Sequence, residues 1–472
     1  MAKEVSYPIL NLRALNLKVS PFLNKDGELL RRVNLDSNPY GALRKRSGYN
    51  TFLGTADGSA VETLFSWTKE DGSLFLYRQS GSSLYYSTSG TGAWTKCGNG
   101  TITPSAYMGH AVLADTLLIS QDGGTTRHST SGTSFSDTSL APAGQHICSS
   151  RDNRIYIGSA SYLFWSAAGS GTDWSTAGTS DSSSLVIPGE GKINSVFYAN
   201  DRVVVGKESN IMYRWDGYNL YKVPTNEAPD SARSLDETED YWLYLNRDGY
   251  FGYNGDRPQL LSNSIENQIY NNSGSAIVGT VFDNAPGVSH HLDYYCSVGT
   301  VTDEITEETI SNCIQRYNYQ YDQWDNYQFA HKPNSWCSYK DASAAQQLIF
   351  DGGSGQCYQV SGTATADNTS PIEAVAEGVL RGEKPWKDKL FKRLRAFASP
   401  GCNAKLQIAV ADSFRKDKKN WIDIGDLKTG YNEYEFKGNT RGKLLFYRLS
   451  EVSTNPAFIF YGFDVDYEEV GV

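Results

Sequence analysis

Short apolar runs separated by turn-forming residues dominate the first three quarters of the chain. Seven of them are rich in β-branched or aromatic residues: Leu74–Tyr77, Thr116–Ile119, Arg154–Ile157, Arg202–Val205, Tyr241–Tyr244, Asp293–Cys296 and Gln347–Phe350. Their centres, from Leu76 to Ile349, are spaced by steps of 38 to 54 residues. Each is followed by a turn and a second run: Leu84–Ser87, Thr126–Ser129, Leu163–Ser166, Ile211–Arg214, Tyr250–Tyr253, Arg316–Tyr319 and Gln356–Gln359. The turns after the first three, Ser87-Thr88-Ser89-Gly90-Thr91, Ser129-Thr130-Ser131-Gly132-Thr133 and Ser166-Ala167-Ala168-Gly169-Ser170, read as copies of one another. Runs of this length bounded by Gly, Ser, Asn and Asp are strand signals. A hairpin returning about every forty residues is the period of a four-stranded propeller blade. The pattern therefore predicts an all-β chain whose residues 60–361 form a seven-bladed β-propeller, with residues 1–59 entering or closing it.

Three stretches depart from the repeat. Ser262–Tyr270 has helical spacing, with Ser264 as a cap and Ile265 and Ile269 on one face. The longest steps imply insertions, the clearest being an acidic loop with Asp303, Glu304, Glu307 and Glu308, a solvated loop tip. After Ser361 the polar stretch Gly362–Pro371 reads as a linker. Beyond it Leu394–Ala398, Lys405–Val410, Asn432–Phe436, Lys443–Leu449 and Ala457–Val465 predict a C-terminal β-sandwich over residues 362–472.

Composition agrees with short strands and tight turns: 31 Tyr and 44 Gly against 15 Pro and 3 Met. No stretch has the roughly 18 apolar residues of a spanning helix, and Met1–Tyr7 lacks a signal peptide's apolar region, so a soluble protein is expected. The seven cysteines are scattered with no C-x-x-C pair, which suits free thiols in a reducing compartment. A net charge of −10 argues against wrapping nucleic acid, which needs a basic stripe, but allows a surface past which DNA slides.

Candidate chemistry is sparse. The turn from Ser87 to Trp94 has the outline of a sialidase Asp box but carries Ser89 in place of the aspartate, and such a box staples a blade rather than catalyses. No phosphate-binding loop or nucleophile elbow occurs. The six histidines are dispersed, and the adjacent His290 and His291 would point to opposite faces of a strand. Neither catalytic residues, a metal nor a cofactor is assigned. Two basic clusters are candidates for a partner or subunit interface: Arg31, Arg32, Arg44, Lys45 and Arg46, and a second containing Lys387, Lys389, Lys392 and Arg393 beside Arg381, Lys384 and Arg395. Solvated strand ends are the plainer reading of both.

Leu35–Tyr49, with its basic run closing on Gly48-Tyr49, Pro258–Ile269 with its Ser-Ile-Glu helix, and the endings Arg441–Leu449 and Tyr461–Tyr467 together resemble the tail hub or nozzle proteins of short-tailed bacteriophages, the packaged-DNA stabilisation proteins. The resemblance implies a non-enzymatic ring of six copies below the head-to-tail adaptor, in a virion tail assembled in the bacterial cytoplasm. Such a ring continues the channel for double-stranded DNA, which passes without sequence recognition, and attaches a tail needle, spike or fibre. An acidic wall would let the genome pass without sticking. The competing reading is a glycan-binding or glycan-cleaving propeller, for receptor recognition or depolymerisation.

Overall fold

The computed structural model describes residues 4–9, 12, 15–18, 25–37, 41–54, 57–104, 106–176, 181–271, 274–275, 277, 279–302, 309–400, 402–412, 420–437, 440–453 and 459–470. Within them the chain is nearly all β. Five four-stranded antiparallel blades stand as separate sheets, running from Val61–Thr68 to Thr95–Thr101, Gly109–Leu113 to Ser136–Asp137, His146–Ser149 to Ser183–Val186, Ile193–Ala199 to Leu220–Lys222, and Asp236–Glu237 to Gln259–Leu260. Two further four-stranded meanders belong to a larger sheet. One runs from Gly287–His290 to Gln323–Gln328; the other is Trp336–Lys340, Gln346–Asp351, Cys357–Val360 and, outermost, Tyr49–Phe52 from the N-terminal segment.

All seven apolar runs of the sequence fall in second strands and all seven following runs in third strands. The reason is burial. A second strand is covered on both faces by neighbouring sheets, so Leu74–Ser80 is buried at every position and reads as a continuous run. Outermost strands such as Ser136–Asp137 and Gln259–Leu260 are exposed and leave no apolar signal. The three copied turns each place glycine at positive φ, with Gly90 at 65°, Gly132 at 82° and Gly169 at 76°. At Gly132 a Cβ would also stand 2.5 Å from the Phe75 ring, so this turn needs glycine twice over.

Apolar clusters join each sheet to the next. Phe65 and Tyr77 meet Leu117 and Ile119; Leu118 meets Ile155 and Ile157; Tyr156 and Leu163 meet Val203 and Val205. Phe197 and Val204 meet Tyr244 and Phe251, Leu245 and Tyr250 meet Tyr294 and Trp324, and Ile314 meets Trp336 and Phe350. A last cluster sets Cys337 and Ile349 against Leu64 and Leu76, joining the final meander to the first.

Most of the remaining strands form two layers around a separate core, the second of them continuous, through a parallel pairing of Val33 with Asn326, with the larger sheet that holds the two meanders. One contains Leu35–Ser37, Leu43–Lys45, Ile459–Glu469, Lys389–Ala398 and Gly430–Glu435, with Glu4–Ile9 also paired to Ile459–Glu469. The other contains Leu29–Val33, Ser370–Leu380, Leu444–Ser453, Lys405–Ala411 and Ile422–Asp426. Leu43, Leu394, Phe463 and Val465 of the first pack against Leu29, Leu406, Ile408 and Leu449 of the second.

The N-terminal segment therefore does more than enter or close the propeller. Tyr49–Phe52 completes the last meander, while earlier strands pair with Ser370–Leu380 and Ile459–Glu469. The expected linker is also fixed rather than free: Ala366–Asp367 pairs with Ser370 and Pro371, and Asp367 lies beside Tyr49. In the helical stretch Asn263–Ile265 is a 3-10 turn and Glu266–Ile269 a single α-turn, with Ile265 and Ile269 buried as expected. Ser264 lies inside the turn, and Ser262 occupies the capping position, with its hydroxyl accepting from Tyr250 N instead. The acidic insertion at residues 303–308 lies outside the described residues.

Candidate functional site

The first basic cluster sits where the propeller meets the two terminal sheets, and three of its members are enclosed. Arg32 is fully buried, with Nε 2.7 Å from Asp325 Oδ1. Lys45 Nζ lies 2.5 Å from Glu451 Oε2 and donates to the carbonyl of Ser453. Arg46 grips Asp367 through two bonds of 2.8 Å, donates to Asn34 Oδ1 and the Gln328 carbonyl, and rests over the Phe329 ring at 4.5 Å. Arg31 is half-buried; Arg44, 3.8 Å from Asp36, stays half in solvent.

The second cluster lies on the terminal sheet built around Lys389–Ala398, apart from the first. Lys387 is exposed near Glu469, Lys392 pairs with Glu468, and Arg393 bridges Glu433 at 2.7 Å and Asp466 at 3.3 Å. Lys389 is buried and donates to the carbonyls of Lys384, Lys387 and Lys443. Burial pushes its ammonium down to about 8, against the opposing pull of Glu469, Asp26 and Asp388. Arg32, Lys45, Arg46 and Lys389 are thus not interface residues as expected. A cation enclosed in its own chain and bonded to that chain's oxygens presents no surface to a partner.

Acids that the sequence reading passed over complete the first site. Arg316 stands 3.3 Å from Asp36, 2.9 Å from Asp293 and 2.8 Å from Asp325, and Tyr327 donates to Asp36. Burial lifts the Asp325 carboxyl to about 6 even with two guanidinium groups beside it. The signal was present: Asp325 and Asn326 interrupt the strand Gln323–Gln328 between Trp324 and Tyr327, where a solvated edge would not need aromatic neighbours.

A second site opens between the innermost strands. A chamber of about 380 Å³ is lined from five blades, by residues that include Phe65, His110, Asp236, Ser289 and Trp336. A wider one of about 680 Å³ adjoins it, sharing Ser66, His110 and Glu237. Arg233, on the short turn Ala232–Ser234 before the fifth blade, reaches across to the carbonyls of Glu62 at 3.2 Å and of Asn334, with Tyr107 under its guanidinium at 5.5 Å. Asp236 accepts from Ser289 N at 2.6 Å and Glu237 N at 2.9 Å; burial raises its carboxyl to about 6. His110 stacks on Phe65 with ring centroids 4.3 Å apart, and burial lowers its imidazole to about 4. These residues escaped the sequence reading because innermost strands are short and polar, so a search by apolar runs found the second and third strands instead.

The histidine pair departs from expectation. His290 ends the strand Gly287–His290 and His291 lies in the turn at a φ of 53°, so the rings approach to 4.4 Å rather than facing apart. Among the described residues no group of three or more His, Cys, Asp or Glu could hold a metal ion. All seven cysteines are unpaired and all but the half-buried Cys148 are buried, where desolvation raises thiols such as Cys97 and Cys296 to about 12.

No family model matches the chain, and no curated protein matches it. Solved structures similar to it include YCF48 bound to D1 peptide, at 9% identity over 70% of this chain and 99% of that one, with a TM-score of 0.42. The extracellular domain of the one-component system BT4673 from B. thetaiotaomicron shows 12% identity over 92% of this chain and 63% of that one, at 0.46. U3-55K shows 10% over 66% and 98%, at 0.41. At these scores the likenesses carry no argument about function.

Proposed function

We propose that this chain is a structural subunit of a virion tail: a hub or nozzle protein built as a seven-bladed β-propeller with a C-terminal β-sandwich. The seven-bladed reading is supported by the succession of inter-blade cores, which returns from Ile349 to Leu76. The sandwich reading is supported by the core that the two terminal sheets share. One observation carries the functional reading. The N-terminal segment gives a strand to the last meander and strands to both terminal sheets, so the propeller and sandwich are fastened at fixed angles by sheet pairing. A ring subunit needs such rigidity, because heterologous contacts close only when the angle between neighbouring copies is constant.

The charge distribution agrees. Arg32, Lys45 and Arg46 neutralise their own buried carboxylates, so the exposed surface keeps the acidity of the chain. An acidic ring wall repels double-stranded DNA and lets it pass. In this reading six copies form the ring, the head-to-tail adaptor sits above, a needle, spike or fibre attaches below, and the chain performs no catalysis and uses no cofactor. The exposed aromatics Phe397, Tyr431 and Tyr461 of the sandwich are suited to subunit or partner contacts. Light scattering and negative-stain imaging of the purified protein, with and without phage particles lacking the tail tip, test this. Six-membered rings, or monomers that become six-fold on such particles, are expected; a monomer that ignores the particles overturns the proposal.

A further inference from the structure

The strand that completes the last meander is held by one histidine through both of its ring nitrogens. His331 lies in the loop between Gln323–Gln328 and Trp336–Lys340. Its Nδ1 is 2.9 Å from the hydroxyl of Tyr49, the first residue of the N-terminal strand Tyr49–Phe52. Its Nε2 is 3.1 Å from the hydroxyl of Tyr358 on the neighbouring strand Cys357–Val360, and the Tyr358 ring stacks on the imidazole with centroids 4.5 Å apart. The clasp thus ties the loop that enters the last meander to the two strands that finish it.

Donors and acceptors fix the tautomer. Tyr49 is fully buried, and its oxygen already accepts from the backbone N–H of His331 at 3.1 Å. Its single hydroxyl hydrogen has one acceptor among the described residues, His331 Nδ1. Nδ1 is therefore the bare nitrogen, and Nε2 carries the hydrogen and donates it to Tyr358. A second proton can go only to Nδ1, where it faces the Tyr49 hydroxyl hydrogen. The hydroxyl must then turn and leave its hydrogen without an acceptor in an enclosed place, which destabilises the closed strand.

The surrounding charges do not offset this. Burial holds the imidazole below its ordinary 6.5 against the opposing pull of Asp367, whose two carboxylate oxygens are gripped by Arg46. Burial also raises the hydroxyls of Tyr49 and Tyr358, so both stay neutral. Asp351, one residue before the Gly352 that packs against His331, is buried with its carboxyl lifted to about 7, and Lys332 is exposed. His331 itself is half-buried, so protons from solvent reach it.

We propose that His331 is an acid-sensitive latch on the N-terminal strand Tyr49–Phe52: with its proton on Nε2 it holds Tyr49 in place, and on protonation at Nδ1 it lets the strand loosen. The latch lies within one chain and stands apart from the ring reading. An opened strand leaves an ordinary imidazole that takes its proton near 6.5, whereas the closed form takes it only at lower pH. Closure is therefore strongest above 6.5 and weakens as pH falls through the interval between the two values. Nitrogen NMR of the histidine side chains in the full chain reads the tautomer, and hydrogen exchange from about pH 8 to 5 reads the latch.

His331 is expected as the Nε2–H tautomer at neutral pH. Protection of the Tyr49–Phe52 amides, corrected for intrinsic rates and referred to Arg202–Lys207 in the fourth blade, is expected to fall by up to about tenfold per pH unit below 6.5. His331→Asn keeps an acceptor for Tyr49 but does not titrate, and should make that relative protection independent of pH. Tyr49→Phe should move the His331 titration up toward 6.5, because no hydroxyl hydrogen then opposes the proton on Nδ1. An Nδ1–H tautomer overturns the proposal. So does a relative protection that stays constant with pH in the wild-type chain, or a pH dependence that His331→Asn retains.

Discussion

The seams between blades and the seam between the propeller and the terminal sheets are built from different materials. Between blades the contacts are apolar: Leu118 against Ile155 and Ile157, or Phe197 against Tyr244 and Phe251. Where the N-terminal segment crosses, buried ions join the apolar contacts of Val33 and Val375: Arg32 with Asp325 and Arg46 with Asp367, while Lys45 with Glu451 ties the two terminal sheets to each other. Blade seams join neighbours in sequence and repeat around the axis, so generic hydrophobic burial suffices. The terminal seam joins residues some three to four hundred positions apart and occurs once. A buried ion pair adds little net stability, yet it penalises wrong pairings because each misplaced charge is left uncompensated. We read the charges at this seam as setting register, and the apolar seams as supplying stability.

That contrast can be broken experimentally. The largest effect is expected for Arg46→Ala, which strands the Asp367 carboxylate inside the protein and should cost about 3–5 kcal/mol in denaturant unfolding. A loss below about 1 kcal/mol would show that water reaches this carboxylate and the seam is loose. Leu118→Ala, in a blade seam, removes a fully buried side chain and should cost about 2–5 kcal/mol. Its unfolding should remain cooperative, since the neighbouring clusters are unaffected.

Lys389 sharpens the picture through pH. Its folded value of about 8 lies below the ordinary 10.5, so between these values the unfolded chain binds the extra proton and stability rises with pH. The penalty is fully present below about 8. Lys389→Met should flatten that rise in a series of melts between pH 7 and pH 10.5. An unaltered slope would place the rise on another group. The smallest effect is expected at Arg393, whose pairs with Glu433 and Asp466 lie partly in solvent. Arg393→Ala should change stability by less than about 1 kcal/mol, and less again at high salt.

What the sequence disclosed follows the same division. Second strands were legible because burial on both faces writes a continuous apolar run, as in Leu117–Ile119 or Val203–Val205, and third strands, only partly buried, were legible from their place one turn later. Innermost strands such as Asp236–Glu237 were not, being two to eight residues long and often polar where they face the axis. The terminal sheets were half legible. Leu394–Ala398 and Lys405–Val410 announced themselves by alternation, whereas Ser370–Leu380 was not assigned as a strand, its first two residues, Ser370 and Pro371, falling in the expected linker. The basic clusters misled because a charge beside a charge in sequence reads as surface. Arg44, Lys45 and Arg46 lie on a strand edge and its exit, where alternation turns Arg44 outward and Lys45 inward, and Arg46 is then drawn in by Asp367 from the far end of the chain. No local pattern contains that partner.

The claim that the N-terminal segment makes one block of the two parts is tested most directly by native-state hydrogen exchange on the full chain. The account predicts that amides of Leu29–Val33 and Tyr49–Phe52 exchange as slowly as those of their partners in Ser370–Leu380 and Cys357–Val360, opening only with them. Rapid exchange of the N-terminal strands while their partners stay protected would contradict it.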